Sequence, residues 1–368
     1  MSASAKRVAI YIPSLNGGGA ERVMAELANS FVAQGHIVDL LLVEVEGPYL
    51  AILSPLVNVI DLKCSRALFS IAPLARYFRK YRPAAVLSAL DYANVIAICA
   101  RFLSGCKFRL VVSERSNVSA SLGTGFNLRA KLTRKIMEVS YRKADQIIAV
   151  SQGVADDMID ALRLPSDLVK VVYNPIDTDR IRELSLAPVA HKWLDNPGTP
   201  LIVAAGRLNM AKDFPTLIKA FAMLRREQQA KLIILGEGEQ RDALSQLIVE
   251  LDLQDDVLLF GFVANPFVWM RRASLFVLSS AWEGLPGTLL QAMACGAVVV
   301  STDCRSGPAE ILEGGRWGRL VPVGAPAQLA DAMTQALCDP IKPDVEVRAR
   351  YFSADRAVDA YAEALAIN

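Results

Sequence analysis

Two cations in the second half of the chain stand where a phosphate group can be held. Arg207 follows the apolar run 201–205, which is typical of a buried strand, and Lys212 precedes a run of helical periodicity in which Asp213 suits the N-cap and Pro215 the first turn. Strand ends and helix starts meet at the carboxyl edge of a parallel sheet, so we expect the two cations to lie close together. They can hold a diphosphate by charge-assisted hydrogen bonds and stabilise its charge as it leaves. The alternative is a pair of solvated surface cations.

A second motif begins with Glu283, after the predicted strand 275–278. The apolar run 289–294 predicts a helix that also carries Gln291. These two polar residues are eight positions apart in the chain, which is about 12 Å along a helix. That spacing suits the two ends of a nucleotide sugar, with the hexose at Glu283, the ribose at Gln291 and the diphosphate between them near the positive end of a helix.

Two glycine-rich turns follow predicted strands. Gly17 and Gly18 come directly before a helical run, where residues without a Cβ allow backbone N–H groups to approach a substrate. A tight turn without any ligand contact explains these residues equally well. The turn 236–238 lacks the third glycine of a dinucleotide fingerprint, which argues against a nicotinamide cofactor.

Short apolar runs alternate with helix-length amphipathic segments along both halves of the chain, and this pattern predicts two doubly wound, Rossmann-like α/β domains. We expect them to face each other across a cleft that holds the ligand. The predicted boundaries are 1–178 for the first domain and 179–350 for the second, with a C-terminal helix in 351–368 that packs back on the first. The predicted strands are 8–12, 38–43, 86–89, 110–113, 146–150, 201–205, 232–235, 257–260, 275–278 and 298–300.

Several motifs occur in the order and context that a known family has. Together they resemble the GT-B fold, retaining glycosyltransferases of family 4, and the resemblance spans nearly the whole chain. The segments that carry it are 17–22, 206–207, 212–221, 235–238, 283–286 and 301–311. It implies an enzyme that transfers a hexose or N-acetylhexosamine from a nucleotide sugar, with a UDP-sugar as the expected donor, to a glycan or lipid-linked acceptor in polysaccharide or glycoconjugate assembly.

The resemblance also implies roles for single residues. It places Arg207 and Lys212 at the donor diphosphate and Glu283 at the hydroxyls of the donor sugar. The second acidic residue of the family motif, which binds the ribose, is replaced here by Gln291, whose amide offers one acceptor oxygen and an NH₂ donor in place of a carboxylate. The predicted donor contacts are Gly17, Gly18, Gly206, Arg207, Lys212, Gly236, Glu283, Gly284, Leu285, Pro286 and Gln291.

The first domain departs from the family at one position. Many members have a histidine after the strand that here ends in 111–113, whereas this chain continues with Glu114 and Arg115. An arginine cannot act as a base near neutral pH. Glu114 and Asp91, both at predicted strand ends, are therefore the candidates for handling the acceptor proton, and a surface ion pair is the alternative.

Retention without a nucleophilic carboxylate pair points to front-face displacement, in which the departing diphosphate helps to deprotonate the acceptor. Such a course needs no metal and no cofactor besides the nucleotide-sugar co-substrate. The six cysteines contain no Cys-x-x-Cys pair and the chain has two histidines, so a zinc site is not expected.

Charge is concentrated in the first half, where residues 61–143 contain 16 Lys+Arg and 4 Asp+Glu. Cations alternate with aromatic residues in 74–82, and a second basic stretch covers 128–143. This pattern fits anionic lipid headgroups or a polyprenyl-diphosphate acceptor, and a solvated charged face is the alternative. Nucleic acid is not expected, because no binding motif accompanies the charge. With no signal peptide and no apolar run of membrane-spanning length, we expect a cytoplasmic protein, peripheral on the inner face of the membrane.

Two other functions remain open at this point. The substituted Gln291 and the missing histidine fit a catalytically silent protein that binds sugar nucleotides. An epimerase or phosphorylase with the same two-domain fold would convert its donor or glycan without a foreign acceptor.

Overall fold

A computed structural model describes residues 5–16, 18–122, 128–194 and 198–368. The chain divides into two compact units. The first unit comprises Met1–Pro175 and Asp355–Asn368, and the second comprises Ile176–Ala354. These limits lie a few residues from the boundaries predicted at 178 and 350.

The first unit contains, within the described residues, a seven-stranded parallel sheet in the order β3-β2-β1-β4-β5-β6-β7. Its central strands are apolar and buried on both faces, as parallel strands between helices must be. The strands are β1 (Arg7–Tyr11), β2 (Ile37–Leu42), β3 (Asn58–Asp61), β4 (Ala85–Ala89), β5 (Arg109–Glu114), β6 (Gln146–Ala149) and β7 (Val169–Val171).

Helices connect these strands. Serine and glycine begin two of them: Ser151 accepts a hydrogen bond from the N–H of Val154, and Gly18 is the N-cap of the first helix. The helices of this part are α1 (Gly19–Ala33), α2 (Ile71–Tyr81), α3 (Asp91–Ser104), α4 (Val118–Leu122), α5 (Leu128–Tyr141) and α6 (Gln152–Leu162).

The second unit repeats the plan. Its described residues form a six-stranded parallel sheet in the order β10-β9-β8-β11-β12-β13. The strands are β8 (Leu201–Ala205), β9 (Lys231–Leu235), β10 (Val257–Gly261), β11 (Leu275–Leu278), β12 (Val299–Thr302) and β13 (Arg319–Val321). The helices are α7 (Thr178–Ser185), α8 (Phe214–Glu227), α9 (Arg241–Glu250), α10 (Phe267–Arg272), α11 (Gly287–Ala294), α12 (Pro308–Ile311), α13 (Pro326–Cys338) and α14 (Val345–Arg350).

The last helix, α15 (Ala354–Leu365), returns to the first unit. Tyr361 and Leu365 are buried in the same apolar core as Val8 and Ile10 of β1. Lys170 binds Glu363 at 2.7 Å. Across the described part of the chain, none of the helices has both the length and the apolarity needed to cross a bilayer.

The two sheets confirm the predicted fold, two Rossmann-like doubly wound domains. In each sheet the strand order reverses once, between β1 and β4 in the first and between β8 and β11 in the second. Ligands of such sheets bind beyond the carboxyl ends of the strands at this reversal. The predicted strands are correct to within one or two residues, whereas the edge strands β3, β7 and β13 are not among them.

Candidate functional site

Two of the predicted site residues meet at the point where the strand order of the second sheet reverses. Lys212 follows β8, Glu283 follows β11, and these strands are neighbours. The Lys212 Nζ lies 2.5 Å from Glu283 Oε1, and the two side chains are only 18% and 12% exposed. An ion pair that is partly withdrawn from water keeps more of its attraction than one on the open surface. A fixed cation and a fixed anion therefore lie side by side at the edge where a ligand is expected.

Lys212 is placed by a short turn rather than by a helix start. It is the last residue of the 3₁₀ turn Met210–Lys212, and Asn209 caps this turn by accepting from the Lys212 N–H at 3.3 Å. Asp213 follows with a left-handed backbone, at a φ of +45°, and α8 begins only at the next residue. As predicted, Asp213 is the N-cap residue of α8 and Pro215 lies in its first turn, but the Asp213 carboxylate accepts no backbone N–H of the helix. Asp213 accepts instead from the hydroxyl of Thr216 at 2.7 Å.

Three buried hydroxyls hold the ion pair in position. Ser280 Oγ donates to Glu283 Oε1 at 2.6 Å, and Ser279 Oγ donates to the Lys212 carbonyl at 2.7 Å. Thr302, at the end of the next strand, donates to the Ser280 carbonyl at 2.6 Å. These bonds join the segments that follow β8, β11 and β12. Sequence reasoning missed all three residues, although their position directly at the end of buried apolar strands is a usable signal.

Arg207 lies at the same edge of the sheet but is not part of this network. Its side chain is 76% exposed, and its Nε is 3.9 Å from Glu239 Oε2, which is a weak contact. The guanidinium therefore remains largely hydrated. The predicted role of Arg207 is to hold a diphosphate together with Lys212. Its present contacts leave the guanidinium accessible to such a ligand.

The predicted glycines of this edge have packing reasons for being glycine. A Cβ on Gly236, whose φ is +142°, would lie 1.9 Å from the Gly206 carbonyl oxygen. A Cβ on Gly206 would lie 3.1 Å from Lys212 Cε, so the lysine stem runs along this glycine. Close approach of backbone to backbone and of backbone to side chain requires both residues.

The turn formed by Gly284, Leu285 and Pro286 precedes α11, which begins at Gly287. Leu285 is buried, and the turn packs against Gly307, where a Cβ would lie 2.5 Å from the Pro286 ring. The proline disfavours helical backbone in the residue before it. Glu283 therefore lies before the helix, and the predicted helical path of about 12 Å from Glu283 to Gln291 is wrong. Gln291 itself is half-buried on α11.

Among the described residues, none of the ion pairs at the reversal in the first sheet is comparable to Lys212–Glu283. Gly17 lies outside the described residues, and Gly18 is the N-cap of α1. Asp91 is the first residue of α3, half-buried, and its Oδ1 accepts from the N–H of Tyr92 at 2.7 Å. The preceding Leu90 has a φ of +81°, which is strained for a residue with a branched side chain. This strained turn sets where Asp91 begins the helix.

Glu114 ends β5 and is fully buried, 1% exposed. Tyr141 donates to its Oε2 at 2.9 Å and the Arg115 N–H to its Oε1 at 3.1 Å. Burial, with the negative charge of Asp91 as a second cause, raises the pKa of Glu114 to about 7, against the lowering effect of these hydrogen bonds. Glu114 is thus not part of a surface ion pair, and Asp91 is the more accessible of the two predicted bases.

A chain of buried polar groups surrounds Glu114. Asn94 donates to the Tyr141 hydroxyl at 3.1 Å and to the Ser113 carbonyl at 3.0 Å, and Ser88 donates to the Asn94 oxygen at 2.7 Å. Burial of these groups is tolerated because each has a partner. The network fixes the ends of β4 and β5 relative to α3 and α5.

Comparison with known proteins agrees with this geometry. The first half matches the family model described as Glycosyltransferase Family 4 over residues 17–180, and the second half matches Glycosyl transferases group 1 over residues 190–353. HepE of Anabaena, solved in complex with UDP and glucose, is similar in fold with a TM-score of 0.81 at 22% identity, over 98% of this chain and 99% of that one.

Curated relatives support the same assignment. An N-acetylgalactosaminyltransferase of Campylobacter jejuni, named for an N-acetylgalactosamine-N,N'-diacetylbacillosaminyl-diphospho-undecaprenol substrate, is 32% identical over 331 residues, 86% of each chain. An amylovoran biosynthesis glycosyltransferase of Erwinia amylovora is 24% identical over 299 residues, 81% of each chain. Two parallel-sheet domains, two matching family models and this degree of identity lead to one conclusion: the chain belongs to the glycosyltransferases of the GT-B fold and is a transferase enzyme.

Proposed function

We propose that the protein is a retaining glycosyltransferase of family 4 that moves a hexose or N-acetylhexosamine from a UDP-sugar to a glycan or polyprenyl-diphosphate-linked acceptor. The observation that carries this proposal is the Lys212–Glu283 pair, which lies at the reversal of the second sheet. A nucleotide sugar has an anionic diphosphate directly beside a hydroxyl-bearing ring. A neighbouring cation and carboxylate are complementary to these two parts.

In this proposal the bound donor replaces the contact between Lys212 and Glu283, because each side chain contacts a different part of the donor. The diphosphate takes Lys212, joined by the exposed Arg207, and the sugar hydroxyls donate to Glu283. Ser280 keeps one hydrogen bond on the carboxylate while its cation partner turns to phosphate. The ribose then lies toward Gln291, where the amide replaces a carboxylate, and the turn Gly284–Pro286 contributes backbone groups. Gly206 and Gly236 shape the edges of this path, and Gly18 is the proposed donor contact on the first unit.

The proposed reaction takes place on one face of the donor sugar. The bond from the anomeric carbon to the diphosphate oxygen breaks, and the acceptor hydroxyl forms the new bond on the same side. The hydroxyl proton passes to the departing diphosphate, whose negative charge Arg207 and Lys212 stabilise. This course uses no metal and no cofactor besides the nucleotide sugar. Asp91, on the first unit, is the proposed side chain to orient the acceptor hydroxyl, and Glu114 acts on it through charge.

Two observations support the proposed acceptor: the name of a relative and the positive charge of the first half of the chain. The Campylobacter jejuni relative is named for a diphospho-undecaprenol-linked substrate, which combines a glycan with an anionic lipid carrier. The 16 Lys+Arg and 4 Asp+Glu of residues 61–143 give this half the complementary charge. We therefore propose that the protein works at the cytoplasmic face of a membrane, bound peripherally to its anionic surface.

A donor panel followed by a transfer assay tests the proposed function. UDP-, GDP- and ADP-sugars are first ranked by the rise in melting temperature that each produces, and we expect UDP-sugars to rank first. The best donors are then incubated with polyprenyl-diphosphate-linked glycans and with free glycans, and the anomeric configuration of the product is read by NMR. Retained configuration on either acceptor supports the proposal. Donor binding without transfer to any acceptor, or an inverted product, contradicts it.

A further inference from the structure

We infer that one side of α5 is a docking surface for an anionic lipid bilayer, into which a row of apolar side chains inserts. The row consists of Leu132, Ile136 and Val139, which are 60%, 45% and 53% exposed. Their spacing of four and three residues places them on one side of the helix. This inference deepens the proposed lipid-linked acceptor, on which it rests, by naming the surface that meets the membrane.

The row is not a misplaced part of the protein core. Among the α5 side chains whose burial the structure describes, Met137 and Tyr141 are buried, and they lie on the opposite side of the helix from the apolar row. α5 packs against α3 and α6, and the Tyr141 hydroxyl accepts from Asn94 of α3 at 3.1 Å. The helix therefore has two apolar sides, of which only one is used by the fold. Apolar side chains that are exposed in a row, rather than singly, mark an interaction surface.

Charge identifies the occupant of this surface. A second row of exposed residues, Lys131, Lys135 and Arg142, runs beside the apolar row with the spacing of one helix side. Residues 128–143 contain six Lys+Arg and one Glu, and that Glu138 is bound by Lys135 at 3.0 Å. Cations flanking an apolar row match a bilayer surface, where anionic headgroups lie directly above the acyl chains.

The position of α5 connects this surface to the proposed reaction. α5 leads into β6, whose first residue lies at the amino edge of the first parallel sheet, so the helix begins toward the carboxyl edge, which carries Asp91 and Glu114. At its other end Arg101 of α3 donates to the Lys143 carbonyl, which ties the two helices together. A bilayer against α5 would present the headgroups of its lipids near the edge where we propose the acceptor to be oriented.

Vesicle flotation tests the inference with no donor or acceptor present. Wild-type protein is expected to bind vesicles of equal parts phosphatidylglycerol and phosphatidylcholine, and not vesicles of phosphatidylcholine alone. Leu132→Ser/Ile136→Ser should lower the partition coefficient at least about tenfold, because two apolar side chains no longer insert. The matched Lys131→Ser/Lys135→Ser variant removes charge one residue away from each, and Leu56→Ser removes a leucine elsewhere in the same unit that is 71% exposed. Leu56→Ser should bind as wild type does.

High salt distinguishes insertion of the apolar side chains into the bilayer from electrostatic attraction to its surface. At about 1 M NaCl the screening length falls to about 3 Å, so binding by charge alone disappears. Wild type and Lys131→Ser/Lys135→Ser should keep a salt-resistant fraction on the mixed vesicles, and Leu132→Ser/Ile136→Ser should keep none. Unchanged melting temperatures and unchanged transfer to a soluble glycan acceptor show that the variants are folded and active.

Three results would overturn the inference. They are absence of wild-type binding to the mixed vesicles, wild-type binding by Leu132→Ser/Ile136→Ser, and a dimer in sedimentation that this variant abolishes, since the occupant would then be a second copy of the chain. Failure of the proposed function is a different result: vesicle binding as expected with no transfer to any acceptor would leave the surface assigned and the reaction wrong.

Discussion

The two sheets present carboxylates at equivalent edges, and their neighbours give these carboxylates different chemistry. Glu283 lies 2.5 Å from a lysine ammonium and accepts from a serine hydroxyl. Glu114 has no cation beside it among the contacts of the described residues; it accepts from Tyr141 and from backbone N–H, near the negative charge of Asp91. One scaffold edge thus holds a fixed charge pair, and the other a carboxyl that is protonated much of the time at neutral pH. The fold places both carboxylates at the carboxyl edge of a sheet, and the neighbouring side chains determine whether each carboxylate is charged.

The largest effect is expected when the charge pair is broken. Lys212→Ala should lower kcat by about 10²–10³-fold, because it removes a cation from the leaving diphosphate and leaves Glu283 without its ion-pair partner. Gln291→Ala should cost about tenfold or less, mainly in KM, because an uncharged hydrogen bond to the ribose is lost. Initial rates with the best donor and acceptor measure both.

Circular dichroism and melting temperature control for unfolding of the Lys212→Ala variant. Equal losses for Lys212→Ala and Gln291→Ala would show that the charge pair has no special part in the reaction, and the contrast between the two edges would then be structural only.

The second prediction concerns the buried carboxyl of the first unit. The pKa of Glu114, about 7 in the folded protein, exceeds the ordinary glutamate value of 4.5, so the folded state binds the proton more tightly than the unfolded state does. This stabilising effect is complete below about pH 4.5 and is lost as the pH rises to 7. Relative to Glu114→Gln, which cannot ionise, wild type should lose up to about 3 kcal/mol of unfolding free energy over this interval.

Urea unfolding of both proteins between pH 4.5 and 8 measures this difference, and Glu44→Gln, at an exposed carboxylate, serves as the matched control. A free-energy gap between wild type and Glu114→Gln that does not change with pH would mean that Glu114 is ionised in the folded protein throughout. The two edges would then both carry fixed negative charge.

Much of this architecture was predictable, because buried parallel strands are continuous apolar runs. The runs 201–205 and 275–278 predicted β8 and β11 to the residue. The missed strands β3, β7 and β13 have three or four residues each and lie at the sheet edges, where only one neighbouring strand and one partly covered face shape the sequence. Their pairing is decided by the rest of the sheet and leaves little pattern in the chain.

The charged residues of the site could be predicted from the sequence, but the residues that hold them in position could not. Lys212 and Glu283 were identified from strand ends and family motifs, but their direct contact depends on the order of strands, which places β8 beside β11. Ser280 follows β11 and Thr302 ends β12, so no local pattern relates them. The burial of Glu114 likewise depends on Tyr141, which is 27 residues away.

The smallest effect is a gain in affinity. In the free enzyme Lys212 is already occupied by Glu283, so the diphosphate of UDP must displace a carboxylate and then lie beside its negative charge. UDP has no hexose whose hydroxyls could occupy Glu283. Glu283→Gln should therefore bind UDP a few-fold to about tenfold more tightly while transfer falls, because the same carboxylate is needed for the sugar.

Isothermal titration calorimetry with UDP at neutral pH measures this gain, and Glu239→Gln is its control. Glu239 is exposed and lies 3.9 Å from Arg207, so its loss should change the UDP dissociation constant by less than about twofold. If Glu283→Gln binds UDP no better than wild type, the ion pair persists in the nucleotide complex, and Lys212 holds the carboxylate in place for the sugar rather than binding the diphosphate. The edge of the second sheet would then resemble that of the first, with a carboxylate fixed by its neighbours before any ligand arrives.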